Sequence, residues 1–323
     1  MTYFHYWAQY FYPDECEEMR VPLGLRAPWC QTACMSNSPL VPTVRRRRLG
    51  TTLRRLRNKA GLTLDDAAEA MGWKAPKMSK IENATQSIRP TEVAALLGVY
   101  GVEDPDVLTA LESLAKDAGK RGWWQTYSGV LAPAYADYIS LESDAESIRF
   151  YAPGLIPGLL QCAAYARETI AVNAMTRTHE EVTALAEVRQ ARQAVLSRPD
   201  RPLQLWAVIH EAVLHQRFAS RPATMREQLQ RLLDVADLPN VTIQVMPLDA
   251  TPHPGGAGAY TLIGFPGPVP DVVLLENLLG ASYVEDADGV KIYADAFERI
   301  VAAAMSADDS LALIRRMEEG TRT

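Results

Sequence analysis

The stretch GLTLDDAAEAMGWKAPKMSKIENA, residues 61–84, decides the fold of the first part of the chain. Within it, small Ala68 is followed four positions later by Gly72, and apolar Met78 and Ile81 stand six and nine positions after that glycine. A small residue lets two helices pack closely, and glycine permits the positive φ that a tight turn needs. The spacing therefore predicts two short helices joined by a tight turn, the arrangement of a helix-turn-helix unit.

The flanking residues predict where these and the neighbouring helices begin and end. Thr63 is the expected N-cap of the first helix of the pair, and Pro76 stands at the beginning of the second, a position that tolerates proline. An amphipathic helix with a basic outer face is expected over residues 45–60, a further helix begins at Pro90, and another runs from about Asp104 to Lys120. Residues 44–120 thus predict an all-helical domain.

Charge is distributed unevenly along the 323-residue chain, whose net charge is −6. Residues 44–90 carry twelve Lys or Arg against four Asp or Glu, a net charge of +8, which leaves −14 for the remainder. A basic segment attached to an acidic body is typical of a nucleic-acid-binding module with a separate effector domain.

Residues 61–84 resemble the Xre type of helix-turn-helix, which is shared with phage repressors, although Leu64 stands where such proteins often have Gln. The resemblance implies a lambda-repressor-like fold, a double-stranded DNA operator as partner, and residues 75–80 as the recognition helix. By this resemblance Ala75, Pro76 and Lys77 lie nearest the base edges, Lys74 and Lys80 contact phosphate, and Thr63 begins the supporting helix, whose N-terminus meets the backbone. The spacing leaves Ser79 facing outward with the lysines. The alternative is that these lysines form a solvated helix face.

Four consecutive arginines, Arg45–Arg48, precede this unit. Two interpretations are open for them. They form an arm that tracks a phosphate strand, with Arg47 and Arg48 as DNA contacts, or they only make the N-terminus soluble.

Residues 146–323 predict a mixed α+β domain, because helical patterns alternate with Val-, Ile- and aromatic-rich runs such as 241–247, 259–265 and 271–277. Residues 121–145 contain Trp123, Trp124 and three tyrosines and are expected to form a connector. The overall fold class is therefore a helical helix-turn-helix domain followed by a mixed α+β domain.

The segment IRFYAPGLIPGLLQCAAYARETI, residues 148–170, resembles the start of the C-terminal domain of actinobacterial Xre regulators. That group is called antitoxin-like, in the manner of the streptomycete Scr proteins, because its genes often lie beside one for a small partner protein. The resemblance implies a transcription regulator whose second domain binds a small protein or ligand. The alternative is an interaction protein that sequesters its partner while DNA binding serves autoregulation. The candidate partner or ligand residues are Pro157, Leu159, Gln161, Tyr165, Arg167 and Glu276.

Patterns typical of enzymes are weak, and we expect no catalytic residues, no cofactor and no metal. His210, Glu211 and His215 resemble a zinc-protease motif, but the histidines are five positions apart and so about 140° apart around a helix. HPGGAG, residues 253–258, lacks the Lys-Ser/Thr of a phosphate-binding loop. Among the four cysteines, Cys30 and Cys34 have no second ligand pair nearby, so free thiols are the better interpretation.

Residues 1–43 show no helical or strand period, and we expect them to be disordered or, up to residue 34, a mis-assigned extension before a true start at Met35. No apolar run is long enough for a membrane span, and no signal peptide is evident, so a cytoplasmic, nucleoid-associated protein is expected. Xre-type proteins read paired half-sites, so we expect a homodimer, with 292–305 and 311–317 as candidate interface segments.

Overall fold

A computed structural model of the chain describes residues 43–117, 122–173, 177–267, 270–277 and 280–320, which belong to one compact unit. The expectations for residues 1–42, including Cys16, Cys30, Cys34 and the start at Met35, lie outside these ranges. No helix in the described ranges is long and apolar enough to cross a lipid bilayer.

The N-terminal region is helical, as the sequence predicts. Its helices are α1 (Val44–Lys59), α2 (Leu64–Ala70), α3 (Ala75–Glu82), α4 (Pro90–Val99) and α5 (Pro105–Asp117). Thr63 caps α2 in a reciprocal pair: its hydroxyl accepts the backbone N–H of Asp66, and the Asp66 carboxylate accepts the N–H of Thr63. Gly72 has a φ of +65° at the turn before α3, the conformation for which glycine was expected there.

The rest of the chain is built on a mixed sheet. Its described strands are β1 (Ser147–Ala152), β2 (Gln204–His210), β3 (Val241–Met246), β4 (Tyr260–Gly264), β5 (Val272–Asn277) and β6 (Gly280–Val284). They lie in the order β3-β2-β1-β4-β5-β6. β1, β2 and β3 are parallel, and β4, β5 and β6 continue the sheet as antiparallel neighbours.

Helices cover both faces of this sheet. They are α6 (Pro133–Asp144), α7 (Ala163–Asn173), α8 (His179–Arg192), the short α9 (Glu211–Leu214), α10 (Thr224–Ala236), α11 (Ala287–Ala303) and α12 (Ala307–Gly320). Alternate side chains of β1 point to opposite faces, so Ile148 and Phe150 join the core that includes α10 and α12, while Tyr151 packs with Phe297 of α11. The fold class is confirmed: a helical N-terminal region precedes a mixed α/β domain with a six-stranded mixed sheet.

Residues 121–145, the predicted connector, contain more regular structure than the sequence suggested. Their described residues form a 3₁₀ helix (Trp123–Tyr127) and the helix α6, which packs against α1 and β6. α8 ends as an α-helix at Arg192, and the chain continues as a 3₁₀ helix (Gln193–Ser197). β1, α7 and β6 were not predicted as separate elements.

Candidate functional site

The helix-turn-helix is formed by α2 and α3, and one side of α3 is buried in the hydrophobic core. Met78 and Ile81 are almost fully buried, and Ala68 of α2 packs in the same core, as their spacing predicts. On the α1 side, a Cβ atom at Gly50 would lie 2.5 Å from the backbone carbonyl oxygen of Glu82. Glycine at this position therefore lets α1 approach the end of α3 at backbone distance.

A buried ion pair holds the same end of α3. The guanidinium of Arg57 in α1 donates to both carboxylate oxygens of Glu82, with Nε–Oε1 at 2.7 Å and Nη2–Oε2 at 3.1 Å. The hydrogen bond with Glu82 raises the pKa of Arg57, so the guanidinium keeps its charge. Sequence reasoning missed this pair, because nothing in the spacing alone relates the Glu of Ile-Glu-Asn to an arginine 25 positions earlier.

The outer surface of α3 has the polarity that the sequence predicts. Lys74, Pro76 and Lys80 are exposed, while Ala75, Lys77 and Ser79 are half-buried. Thr63 is exposed at the N-terminus of α2. Two lysines and the first turn of α3 are thus presented together on a rigidly held helix, as binding in a DNA groove requires.

Lys77 is held by neighbours within its own domain. Its Nζ lies 2.8 Å from Oε1 of Glu92 in α4 and 3.7 Å from the ring centroid of Trp73. The hydrogen bond from Lys77, together with one from the backbone of Arg89, lowers the pKa of Glu92. Lys77 must therefore exchange a carboxylate for a base edge or a phosphate if it is to contact DNA.

Three of the four arginines at the start of α1 contact α6 or the second domain, whereas the sequence suggested a DNA-binding or a solubilising arm. Arg45 pairs with Asp144 through Nε–Oδ2 and Nη2–Oδ1 distances of 2.6 Å. Arg47 donates to Glu285. Arg48 is 3% exposed, lies 3.4 Å from the Phe265 ring centroid and donates to the carbonyl oxygen of Pro270. Arg48 therefore has no surface to offer a phosphate, and the Arg47 guanidinium is already paired.

A cavity of about 570 Å³ lies in the second domain, beside the loop 153–158. Three of the candidate partner or ligand residues, Pro157, Gln161 and Glu276, line it. Leu159 and Tyr165 are instead fully buried, and Arg167 is exposed outside its lining.

The loop beside the cavity is fixed by hydrogen bonds. Gln161 donates from Nε2 to the carbonyl oxygen of Ile156 at 2.6 Å and accepts from Nη1 of Arg189 at 3.0 Å. The hydroxyl of Tyr165 accepts the N–H of Ile156 and donates to Gln216. Gln161 and Tyr165 therefore shape the loop, and Arg189, which sequence reasoning did not single out, reaches the cavity.

The two sequence patterns that resemble enzyme motifs have ordinary structural roles. His210 caps α9 by accepting the N–H of Ala212 at its Nδ1, and His215 lies 3.5 Å from Glu211. The HPGGAG run contains a 3₁₀ helix (Pro254–Ala257). Within the described ranges, no group of three or more His, Cys, Asp or Glu could hold a metal ion.

Two family comparisons match this chain. A model described as "Helix-turn-helix domain" matches residues 48–111, and one described as "Domain of unknown function (DUF5753)" matches residues 135–316. Neither description names an enzyme. No curated protein and no solved structure matches the chain.

Proposed function

We propose that this chain, which belongs to the DUF5753 family and carries a helix-turn-helix domain, is a sequence-specific transcription regulator of the Xre type. Its second domain binds a ligand or a small partner protein that controls DNA binding. The proposed division is residues 44–120 for DNA binding and 146–323 for effector binding, and the proposed active form is a homodimer on paired half-sites.

The observation that carries this proposal is the outer face of α3. Lys74, Pro76 and Lys80 are exposed on a helix whose opposite side is fixed by Met78, Ile81 and the buried Arg57–Glu82 pair. A helix held in this way can enter the major groove without reorganising the domain. The proposed DNA contacts are Thr63, Lys74, Ala75, Pro76, Lys77, Ser79 and Lys80.

Selection of bound fragments from the genomic DNA of the native host tests the proposal. We expect a recurring sequence with two half-sites, and we expect Lys80→Ala to weaken binding to every sequence and to reduce the salt slope by about one unit. Lys116→Ala, an exposed lysine of α5, is the matched control and should leave the slope unchanged. Failure to bind host DNA at low ionic strength, or an unchanged slope in Lys80→Ala, would contradict the proposal.

A further inference from the structure

The second-domain cavity lies at the point in the strand order where the parallel half of the sheet meets the antiparallel half. β1 has parallel β2 on one side and antiparallel β4 on the other. The residues just after β1, the start of β4 and the end of β5 all contribute to the cavity, through Pro153, Tyr260 and Glu276. In open α/β sheets, ligands bind outside the carboxyl ends of strands at such a switch point, because the connections diverge there and leave a crevice.

The walls of the cavity are aromatic. Five aromatic residues contribute to its lining: Tyr135, Tyr138, Phe150, Tyr151 and Tyr260. The rings of Tyr135, Tyr138 and Phe150 belong to the core on one face of the sheet, whereas those of Tyr151 and Tyr260 pack on the α11 face. Its volume of about 570 Å³ lies within the roughly 300–1,000 Å³ that is typical of small-molecule sites. Aromatic side chains in the wall favour a molecule with a flat, apolar face over a hydrated ion.

One wall of the cavity is electropositive. Arg192 is buried, and Glu142 balances its charge at 2.6 and 2.8 Å. Arg189 donates from Nη1 to Gln161, and its buried Nε has no hydrogen-bond partner among the described residues, none of which forms an ion pair with it. Burial alone would raise the pKa of Tyr135, but Arg192 and Arg189 lower it overall, so these two guanidiniums favour negative charge beside Tyr135. Burial, together with Glu142 and Glu276, raises the pKa of Tyr138, so the electropositive part of the wall is the side formed by the two arginines.

We propose that this cavity binds a small organic acid with a planar aromatic body, whose anionic group pairs with Arg189 while its ring packs among the tyrosines. This inference deepens the proposed function, on which it rests, because it names the class of ligand that the effector domain takes. An ionised acceptor supplies a counter-ion for the Arg189 guanidinium, which lines the cavity, and the aromatic side chains supply apolar contact area.

The fluorescent aromatic sulfonate 8-anilinonaphthalene-1-sulfonate is a direct probe of this site, because its emission rises when it leaves water for an apolar pocket. We expect saturable binding of one probe per chain. Arg189→Gln should weaken that binding about tenfold or more, since a hydrogen bond between two charged groups is lost. Arg315→Gln, which removes an exposed arginine from α12, is the matched control and should bind as wild type does.

A second variant guards against a folding defect in Arg189→Gln, which also removes a partner of Gln161. Leu155 lines the cavity and is 42% exposed, so Leu155→Glu adds a negative charge at the opening with little effect on the core. It should also weaken probe binding. Equal affinity in all three variants and wild type, or no saturable binding up to about 1 mM, would overturn the inference.

The two proposals can fail separately. A protein that binds the probe through Arg189 but ignores host DNA contradicts the regulator function and leaves the ligand site standing. A protein that binds host DNA but shows no Arg189-dependent probe binding overturns only the ligand site.

Discussion

Glu92 holds the side chain of Lys77, one of the proposed DNA contacts. Its carboxylate lies 2.8 Å from Nζ of Lys77 and also accepts the N–H of Arg89 at the start of α4. Glutamine keeps an acceptor for that N–H but carries no charge, so Glu92→Gln releases Lys77 while preserving the cap. We expect this variant to bind DNA up to about fivefold more tightly at low salt, the scale of an exposed ion pair.

Glu103→Gln, the same change on the exposed loop before α5, is the control, and titration of labelled operator DNA measures both variants. Weaker binding by Glu92→Gln, or equal gains in both, would show that Glu92 does not restrain Lys77.

A second check follows from the lowered pKa of Glu92. The stabilisation from its ionised form is present above its unfolded-state pKa and is lost as pH falls through the lowered value. Glu92→Gln should therefore unfold with a weaker dependence on acid pH than wild type.

Arg48 belongs to a run of four arginines that suggests an exposed basic arm, but its side chain is buried. Burial lowers its pKa to about 10, and its Nε and Nη1 have no hydrogen-bond partner among the described residues. Methionine keeps the apolar stem against Phe265 and removes both unpaired donors, so Arg48→Met should change the free energy of unfolding by no more than about 1 kcal/mol. Its DNA-binding salt slope should equal that of wild type, whereas Lys80→Ala lowers the slope. A reduced slope in Arg48→Met would restore the arm interpretation.

At the scale of elements, the contact between α1 and α3 positions the proposed DNA-binding face. Gly50→Ala would push a methyl group to 2.5 Å from the carbonyl oxygen of Glu82 and 2.8 Å from that of Ile81. Because both atoms belong to the backbone, α3 must move. We expect a loss of about 1–3 kcal/mol in the free energy of unfolding, together with weaker DNA binding.

Gly98→Ala in α4 is the matched control, because the same methyl group meets no atom within 4 Å there. It should stabilise the domain by about 0.5–1 kcal/mol, since alanine has the higher helix propensity. Denaturant unfolding and DNA titration of both variants give the comparison. Equal behaviour of the two alanine variants would show that α1 does not support α3 through this approach.

The elements also show how far sequence reasoning reaches. α2, α3 and α4 were predicted correctly, because Thr63, Gly72, Pro76 and Pro90 mark their ends through local backbone chemistry. α6 was missed, since its tyrosines face a cavity and an arginine of α8 and so break the simple apolar stripe. β6 was missed because it is a short edge strand, half-exposed and without regular alternation of burial.

The candidate functional residues likewise separate into those that local sequence predicts and those that depend on distant partners. The outward lysines of α3 follow from local spacing. The roles of Arg45, Arg47 and Arg48 do not, because their partners lie 99, 238 and 222 positions away in the sequence. The cavity of the second domain is likewise assembled from segments that only the sheet brings together. Among the residues that line it, Pro157, Gln161 and Glu276 were candidates from the sequence and Arg189 was not.

At the scale of the whole molecule, the DNA-binding helices and the second domain share one hydrophobic core, which runs from Leu49 to Ile314. α6 joins the two functional regions directly. Tyr135 and Tyr138 line the proposed ligand cavity, and Asp144 at the end of the same helix pairs with Arg45 of α1. A ligand that shifts α6 would therefore act on α1 and, through Gly50 and Arg57, on α3.

Such coupling requires the two regions to unfold together, which calorimetry can test. Phe265 lies at their junction and is 9% exposed. The Arg48 guanidinium stacks on its ring, and the residue also lines a second cavity of about 600 Å³. Because that junction is incompletely filled, little packing energy holds the two regions together. Loss of one phenyl ring, which costs up to about 3–5 kcal/mol, should therefore separate their unfolding. Wild type should melt in one transition and Phe265→Ala in two. Phe218→Ala, which removes a half-buried ring packed on Tyr165 within the second domain, should lower a single melting temperature without dividing it. Two transitions in wild type, or one in Phe265→Ala, would show that the shared core does not transmit the state of the cavity to the DNA-binding face.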